Sequence, residues 1–310
     1  MKRCERVNRL RLRVPKAAGA VMALALGWAA GVASAQQQDF SKVEIKATKV
    51  AGNVFMLEGS GGNIGVSAGP DGLLIVDDQF APLAEKIRAA LKPLSPGKLK
   101  FVLNTHWHGD HTGGNPEFGR EAPIIAQTNV RKRLESGGHL IGRDVPPAKG
   151  DALPVVTFDE SLSVWFNGEE IRVLHYPMGH TDGDSVILFT KSNVVHMGDD
   201  FFAGRFPFVD LDSGGDVEGL AKNIEQILKT LPPGVKLIPG HGPVSTIDGL
   251  KTYQRMLTES IAFVRSRVTA GKTLDQIQAE GLPAEWKSWA WEFISEKDWL
   301  GIVHRSVTKK

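Results

Sequence analysis

The stretch NTHWHGDHTGGN, residues 104–115, sets His106, His108, Asp110 and His111 within six positions of a chain that has 9 histidines in 310 residues. Imidazole and carboxylate are the donors that hold divalent metals when no thiolate is at hand. In an extended segment, residues two apart share a side, so His106, His108 and Asp110 are expected to face one space, with His111 pointing elsewhere and Gly109 allowing a turn. Such a fan of donors suits two adjacent cations better than one tetrahedral ion. A single His-x-His would carry little weight. Three histidines and an aspartate at the mouth of the apolar strand KLKFVLN, with glycines behind them, mark a metal site.

Outward from this stretch the pattern alternates between strand and helix. Upstream, VFMLEG (54–59), GVSAG and GLLIVDD read as a meander of short strands broken by glycine. PLAEKIRAALKPL (82–94) spaces Leu83, Ile87, Ala90 and Leu91 at helical intervals. Downstream, SLSVWF (161–166), EIRVLHYP (170–177), DSVILFT (184–190) and NVVHMGD (193–199) read as strands, with Asn167-Gly168 as a hairpin turn. A helix is expected over 215–231, stopped by Pro232-Pro233, then the strand VKLIPGHG (235–242) and further helix. This order predicts two packed sheets with helices outside, an α+β architecture. The last 60 or so residues read as helical. Their tryptophans 286, 289, 291 and 299 anchor that extension onto the body or form a partner surface, the anchor reading being preferred.

The start of the chain has a different character. Lys2, Arg3, Arg6, Arg9, Arg11, Arg13 and Lys16 precede an apolar run, and Ala33-Ser34-Ala35 resembles a cleavage site, the pattern of an export signal over residues 1–35. The mature protein is therefore expected to be periplasmic or secreted, with no stable membrane insertion. Removing the segment, with seven basic residues and one acid, takes the net charge from +2 to −4. That balance speaks against nucleic acid or an anionic membrane surface as a partner. The only cysteine, Cys4, lies in the same segment, so neither a disulfide nor a thiolate ligand is expected in the mature chain. Domains are drawn at 36–250 for the main body and 251–310 for the helical extension.

With VDD at 76–78, PMGHTDGD at 177–184, HMGDD at 196–200 and IPGHG at 238–242 following the same order, the chain resembles the metallo-β-lactamase-fold hydrolases, whose HxHxDH signature stands at 106–111. The resemblance implies an αββα sandwich with pseudo-twofold halves. It implies a first metal held by His106, His108 and His180, a second held by Asp110, His111 and His241, and Asp199 bridging the two. Two zinc ions per chain are expected. Asp77 matches an aspartate that supports the ligand loop from behind. A hydroxide between the metals is the implied nucleophile, oriented by Asp110, so that Asp110 and Asp199 are the catalytic carboxylates.

The resemblance leaves the substrate open. Asp199 stands where some lactamases carry a cysteine ligand, a substitution closer to the glyoxalase, lactonase, phosphodiesterase and sulfatase branches, and export weakens the glutathione-thioester reading. An ester-, lactone- or amide-like bond is the expected target. The alternatives are a phosphodiesterase or sulfatase of the same fold, an iron-dependent dioxygenase, or a non-catalytic metal protein. Trp107, Phe201, Phe202, Phe206 and Phe208 form an apolar lip around the metals or fill the core beneath them, the two readings standing equal. Residues 136–150 are a candidate flap. His196 is read as core or supporting, His175 as a residue that could line the site, and His139 and His304 as solvated.

Overall fold

A computed structural model describes residues 39–309, so the export signal expected over residues 1–35 lies outside the described part of the chain. Four strands, β1 (Lys46–Ala51), β2 (Val54–Glu58), β3 (Ile64–Gly69) and β4 (Gly72–Val76), pair antiparallel in sequence order. All five residues of β4, GLLIV, are buried, the continuous apolar run of a strand covered on both faces. Helix α1 (Ala84–Leu91) returns the chain to β5 (Leu99–Leu103), which lies parallel to β4. The quoted stretch follows as two short helices, α2 (Gly109–Thr112) and α3 (Asn115–Phe118), leading to β6 (Ile124–Gln127) and α4 (Thr128–Ser136). A separate hairpin, β7 (Gly138–Leu140) and β8 (Arg143–Val145), precedes β9 (Val156–Phe158), which closes a seven-stranded sheet of order β1-β2-β3-β4-β5-β6-β9.

The second sheet has the order β10-β11-β12-β13-β14. Its strands are β10 (Ser161–Phe166), β11 (Glu169–His175), β12 (Ser185–Phe189), β13 (Val194–His196) and β14 (Lys236–Ile238). Asn167 and Gly168 take φ of 52° and 78°, the doubly positive pair that a two-residue hairpin of this hand requires. Helix α5 (Val217–Thr230) crosses between β13 and β14, which makes those two strands parallel. Asp216 caps it by accepting from the Gly219 amide.

Three apolar clusters define the layers. Val54, Met56, Leu74, Val76, Leu103 and Ile125 of the first sheet interleave with Ile171, Val173, Ile187, Val194 and Ile238 of the second. Behind the first sheet, Ile75 and Val102 pack on Ile87 and Leu91 of α1 and on Phe118. Behind the second, Val195 and Leu237 pack on Leu220 and Ile224 of α5 and on α6 (Ile247–Thr269), α7 (Leu274–Glu280) and α8 (Glu296–Thr308). The result is an αββα sandwich with a C-terminal helical region. Trp286 and Trp299 are fully buried in that last cluster, donating from their indole nitrogens to Glu259 (2.9 Å) and Ser260 (3.0 Å), so these two act as anchors. Trp289 and Trp291 are only half-buried.

Candidate metal centre

Parallel neighbours end at the same edge of a sheet, and the loops beyond those ends face a common space. Asp77 follows β4 and His106 follows β5 in the first sheet; Asp199 follows β13 and His241 follows β14 in the second. His180 lies in the loop between β11 and β12. All seven residues of the expected ligand set meet here. Their donor atoms fall into two groups within 4.8 Å, His106, His108, His180 and Asp199 in one, and Asp110, His111 and His241 in the other.

One expectation is corrected. His111 does not point away, because the strand ends at Leu103, the chain bends over residues 105–107 and then coils into α2, swinging Asp110 and His111 back toward the same space. The His106 and His111 rings lie 4.2 Å apart. Asp199 sits between the groups, with carboxylate oxygens 3.1 Å from His111 Nε2, 3.4 Å from both His180 Nε2 and His241 Nε2, and 3.8 Å from His106 Nε2. Asp110 lies 3.3 Å from His241 Nε2 and 3.6 Å from His111 Nε2. His106 Nε2, His111 Nε2 and Asp199 Oδ1 are buried without a hydrogen-bond partner among the described residues. Unsatisfied nitrogens crowded around a carboxylate fit metal ions, whose charge removes the cost of burying them unpaired.

The far side of three of the imidazoles is held by a carboxylate or a carbonyl. Asp77 Oδ2 lies 2.7 Å from His111 Nδ1, and the same carboxylate accepts from the Thr105 amide and hydroxyl, both at 2.8 Å. Asp77 itself takes φ of 65°, a strained conformation kept directly after β4. His180 Nδ1 lies 2.7 Å from the Phe208 carbonyl. Asp210, which the sequence did not single out, lies 3.0 Å from His108 Nε2, leaving Nδ1 turned toward His180. A carboxylate in that position selects the tautomer with Nδ1 free to ligate. Gly240 is required by space, since a Cβ there would sit 2.0 Å from Asp199 Oδ1.

Charge in the cluster divides by neighbour. Burial opposes ionisation of Asp199, yet the surrounding imidazoles, His111 foremost, hold its carboxyl well below the usual range. His111 is raised well above the usual histidine value, Asp199, Asp110 and Asp77 outweighing burial. His241 is likewise raised, to about 9, by Asp199 and Asp110 against burial. Burial prevails at His106, which is held well below the usual value, and at His180, lowered to about 4. Behind the ligands, burial pushes Asp184 up to about 7, and its neighbour Asp200 is raised as well.

The two readings of the aromatic lip separate by residue. Trp107, Phe201, Phe202 and Phe206 are buried, Trp107 against Ala126, Val130 and Leu134 and the phenylalanines in the cluster behind the second sheet. Phe202, though buried, stacks on the His241 ring at 5.0 Å, and Phe208 is half-buried beside the ligands, its ring 5.9 Å from His108 and 6.0 Å from His180. The C-terminal region adds Trp291, 5.8 Å from the His241 ring. His196 is buried, its Nε2 3.0 Å from the Asn63 carbonyl, and His175 Nδ1 meets the Asp184 carbonyl at 2.8 Å. His139 is exposed on the hairpin beside Asp144, whereas His304, expected in solvent, is half-buried on α8. Residues 136–150 hold the β7–β8 hairpin. No helix among the described residues is long and apolar enough to cross a membrane.

The profile of the metallo-beta-lactamase superfamily matches residues 47–245. Among curated proteins, the chain is 36% identical over 149 residues to a hydroxyacylglutathione hydrolase of Nitrosococcus oceani, covering 46% of this chain and 49% of that protein. It is 23% identical over 164 residues to a metallo-beta-lactamase type 2 of Bacteroides fragilis, covering 53% and 61%. The chain thus spans about half the length of the first of these relatives and three fifths of the second. A solved metallo-beta-lactamase from Pontibacter korlensis superposes with a TM-score of 0.59 at 18% identity, covering 69% of this chain and 99% of that one. A double mutant of a sec-alkyl sulfatase superposes with a TM-score of 0.63 at 16% identity, covering 85% and 50%. At these identities the superpositions speak for the fold alone.

Proposed function

The chain belongs to the metallo-beta-lactamase superfamily, and from that premise we propose that it is an exported hydrolase that holds two zinc ions and cleaves an ester-, lactone- or amide-like bond of a small molecule. The observation that carries this reading is the pair of donor groups flanking one aspartate, with buried nitrogens that have no hydrogen-bond partner among the described residues. His106, His108 and His180 would hold one ion and Asp110, His111 and His241 the other, with Asp199 between them. Nitrogen and oxygen donors without a thiolate fit zinc, which needs no redox partner. Bound there, the ions would lower the pKa of water and polarise the bond under attack.

The chain's own residues supply the rest. The side chain of Asp110 is partly open to solvent at 30% exposure, whereas that of Asp199 is closed in at 5%. Asp110 is thus the carboxylate that can orient an attacking water and take up its proton, while Asp199 stays fixed among four imidazoles. No serine or cysteine nucleophile is needed, since water adds to the acyl carbon and the leaving group departs with the proton. Asp77, Asp210 and the Phe208 carbonyl keep the imidazoles in register for this.

Two experiments test the reading. Zinc-loaded protein is assayed on a chromogenic β-lactam, a lactone, a thioester, a phosphodiester and an aryl sulfate, each with and without chelator. Chelator-sensitive turnover of an acyl substrate supports it; turnover of the phosphodiester or sulfate alone replaces the substrate class, and silence across the panel with two ions bound removes the hydrolase assignment. Export is tested by fractionating cells that express the whole chain. Protein retained in the cytosol with residues 1–35 intact would count against it.

A further inference from the structure

A cavity of about 660 Å³ opens beside the metal centre, and its wall is built from three distant parts of the chain. The tip of the β7–β8 hairpin brings Ile141, the loop before α5 brings Phe208, and the C-terminal region brings Phe293 and Ile302. Phe208 touches the ligand side, its ring near those of His108 and His180. Phe293 stands 6.1 Å from Phe208 and 5.6 Å from Trp291, and Trp291 in turn lies beside His241. Phe293 therefore joins the cavity to the metal cluster.

The wall is fixed in place. The Trp291 indole donates to the Phe206 carbonyl at 3.0 Å, and the Phe206 amide donates to the Trp289 carbonyl at 2.9 Å, so the C-terminal segment is hydrogen-bonded to the loop that carries Phe208. Arg205 stacks over Trp291 at 4.9 Å. The charged groups in the cavity wall are largely engaged, Arg305 with Asp212 and Asp298 with Ser295. Lys297 also lines the wall, and two large apolar side chains are left open there. Phe293 is 48% exposed and Ile141 55%, both large apolar residues turned to solvent.

Ile141 adds an independent sign. It takes φ of 50° at the first position of a two-residue turn, where a β-branched side chain costs about 1–2 kcal/mol and asparagine or glycine would be relaxed. Strain of this kind persists where the side chain has a use. Its side chain lines the cavity.

On the hydrolase reading above, we propose that Ile141 and Phe293 are the two jaws of a specificity subsite that holds an apolar group of the substrate, a medium alkyl chain or an aryl ring, while the bond to be cut lies at the metals. Phe293 belongs to residues beyond the 47–245 matched to the superfamily, so one of the two jaws is the contribution of the C-terminal extension and the other lies within the matched part.

The test uses uncleaved, uncharged probes, so that it does not depend on turnover. Octanamide and acetamide are titrated calorimetrically into the zinc-loaded chain and into the same chain after chelation, as wild type, Phe293→Ala, Ile141→Ala and the control Trp165→Ala, whose side chain is exposed on the edge strand β10. Wild type should bind octanamide at least tenfold tighter than acetamide in both states, each jaw variant should cut that preference to threefold or less, and the control should keep it. Both jaws are about half exposed, so the variants should melt within a few degrees of wild type. No chain-length preference in wild type, or full preference in both jaw variants, overturns the subsite. Failure of the hydrolase reading shows instead as silence in the substrate panel, with the amide preference still measurable.

Discussion

Asp210 shows how much of a metal site lies outside its ligands. Its carboxylate is held down to about 2, the hydrogen bond to His108 outweighing the effect of burial. Replacing it by asparagine keeps the volume and loses the charge, and zinc affinity should fall about 10- to 100-fold in competition with a chromogenic chelator. His108→Ala or Asp110→Ala should abolish hydrolysis with circular dichroism unchanged; full activity in either would defeat the proposed chemistry. Asp184 offers a pH test. Its folded pKa of about 7 lies above an unfolded value near 3.8, so the folded chain binds a proton more tightly and stability falls as pH rises through that window. Asn resembles the protonated acid, accepting from the Thr181 amide and donating toward Asp200. Asp184→Asn should therefore flatten the decline in Tm between pH 5 and 8. Of the seven expected donors, the four that share residues 106–111 could be read from their own spacing, whereas His180, Asp199 and His241 came only with the family resemblance. Asp210 was legible in neither way, since it lies among Asp182, Asp212 and Asp216 with no spacing to set it apart.

At the scale of elements, runs of five or more apolar residues were read well, and the hairpin at Asn167-Gly168 fell where its turn residues put it. Helix α1 came out shorter than the expected 82–94, because Ala81–Leu83 tighten into a 3-10 turn at Pro82 and the chain uncoils before Pro96. β9 escaped notice: three residues, two of them exposed, carry no periodicity, and only its place beside β6 makes it a strand. The C-terminal helices were legible as helices, but their contact with the metal loop was not, since Trp291 and Phe206 are 85 positions apart. Trp299, buried on α8 and stacked against Phe206 at 5.9 Å, ties the two regions together. Trp299→Ala should cost about 3–5 kcal/mol in denaturant titration, whereas the exposed Trp165→Ala should cost less than about 0.5 kcal/mol.

For the whole molecule, metal occupancy and stability are linked. Ions that bind the folded chain in large excess over their dissociation constants add about 4 kcal/mol, and chelation should lower Tm by about 10 °C in a calorimetric scan. Little or no shift would mean that the donor cluster stands alone without ions.

The two sheets also divide the donors between them. The first contributes His106, His108, Asp110 and His111, the second His180, Asp199 and His241, and exposed Asp159 and Glu160 join the two between β9 and β10. Neither portion alone owns a full set for either ion. If the polypeptide were divided at that link and the pieces made separately, each would be a poor zinc chelator and their mixture a good one. Metal uptake would then serve as a gauge of reassembly, turning the seam of the sandwich into a complementation sensor.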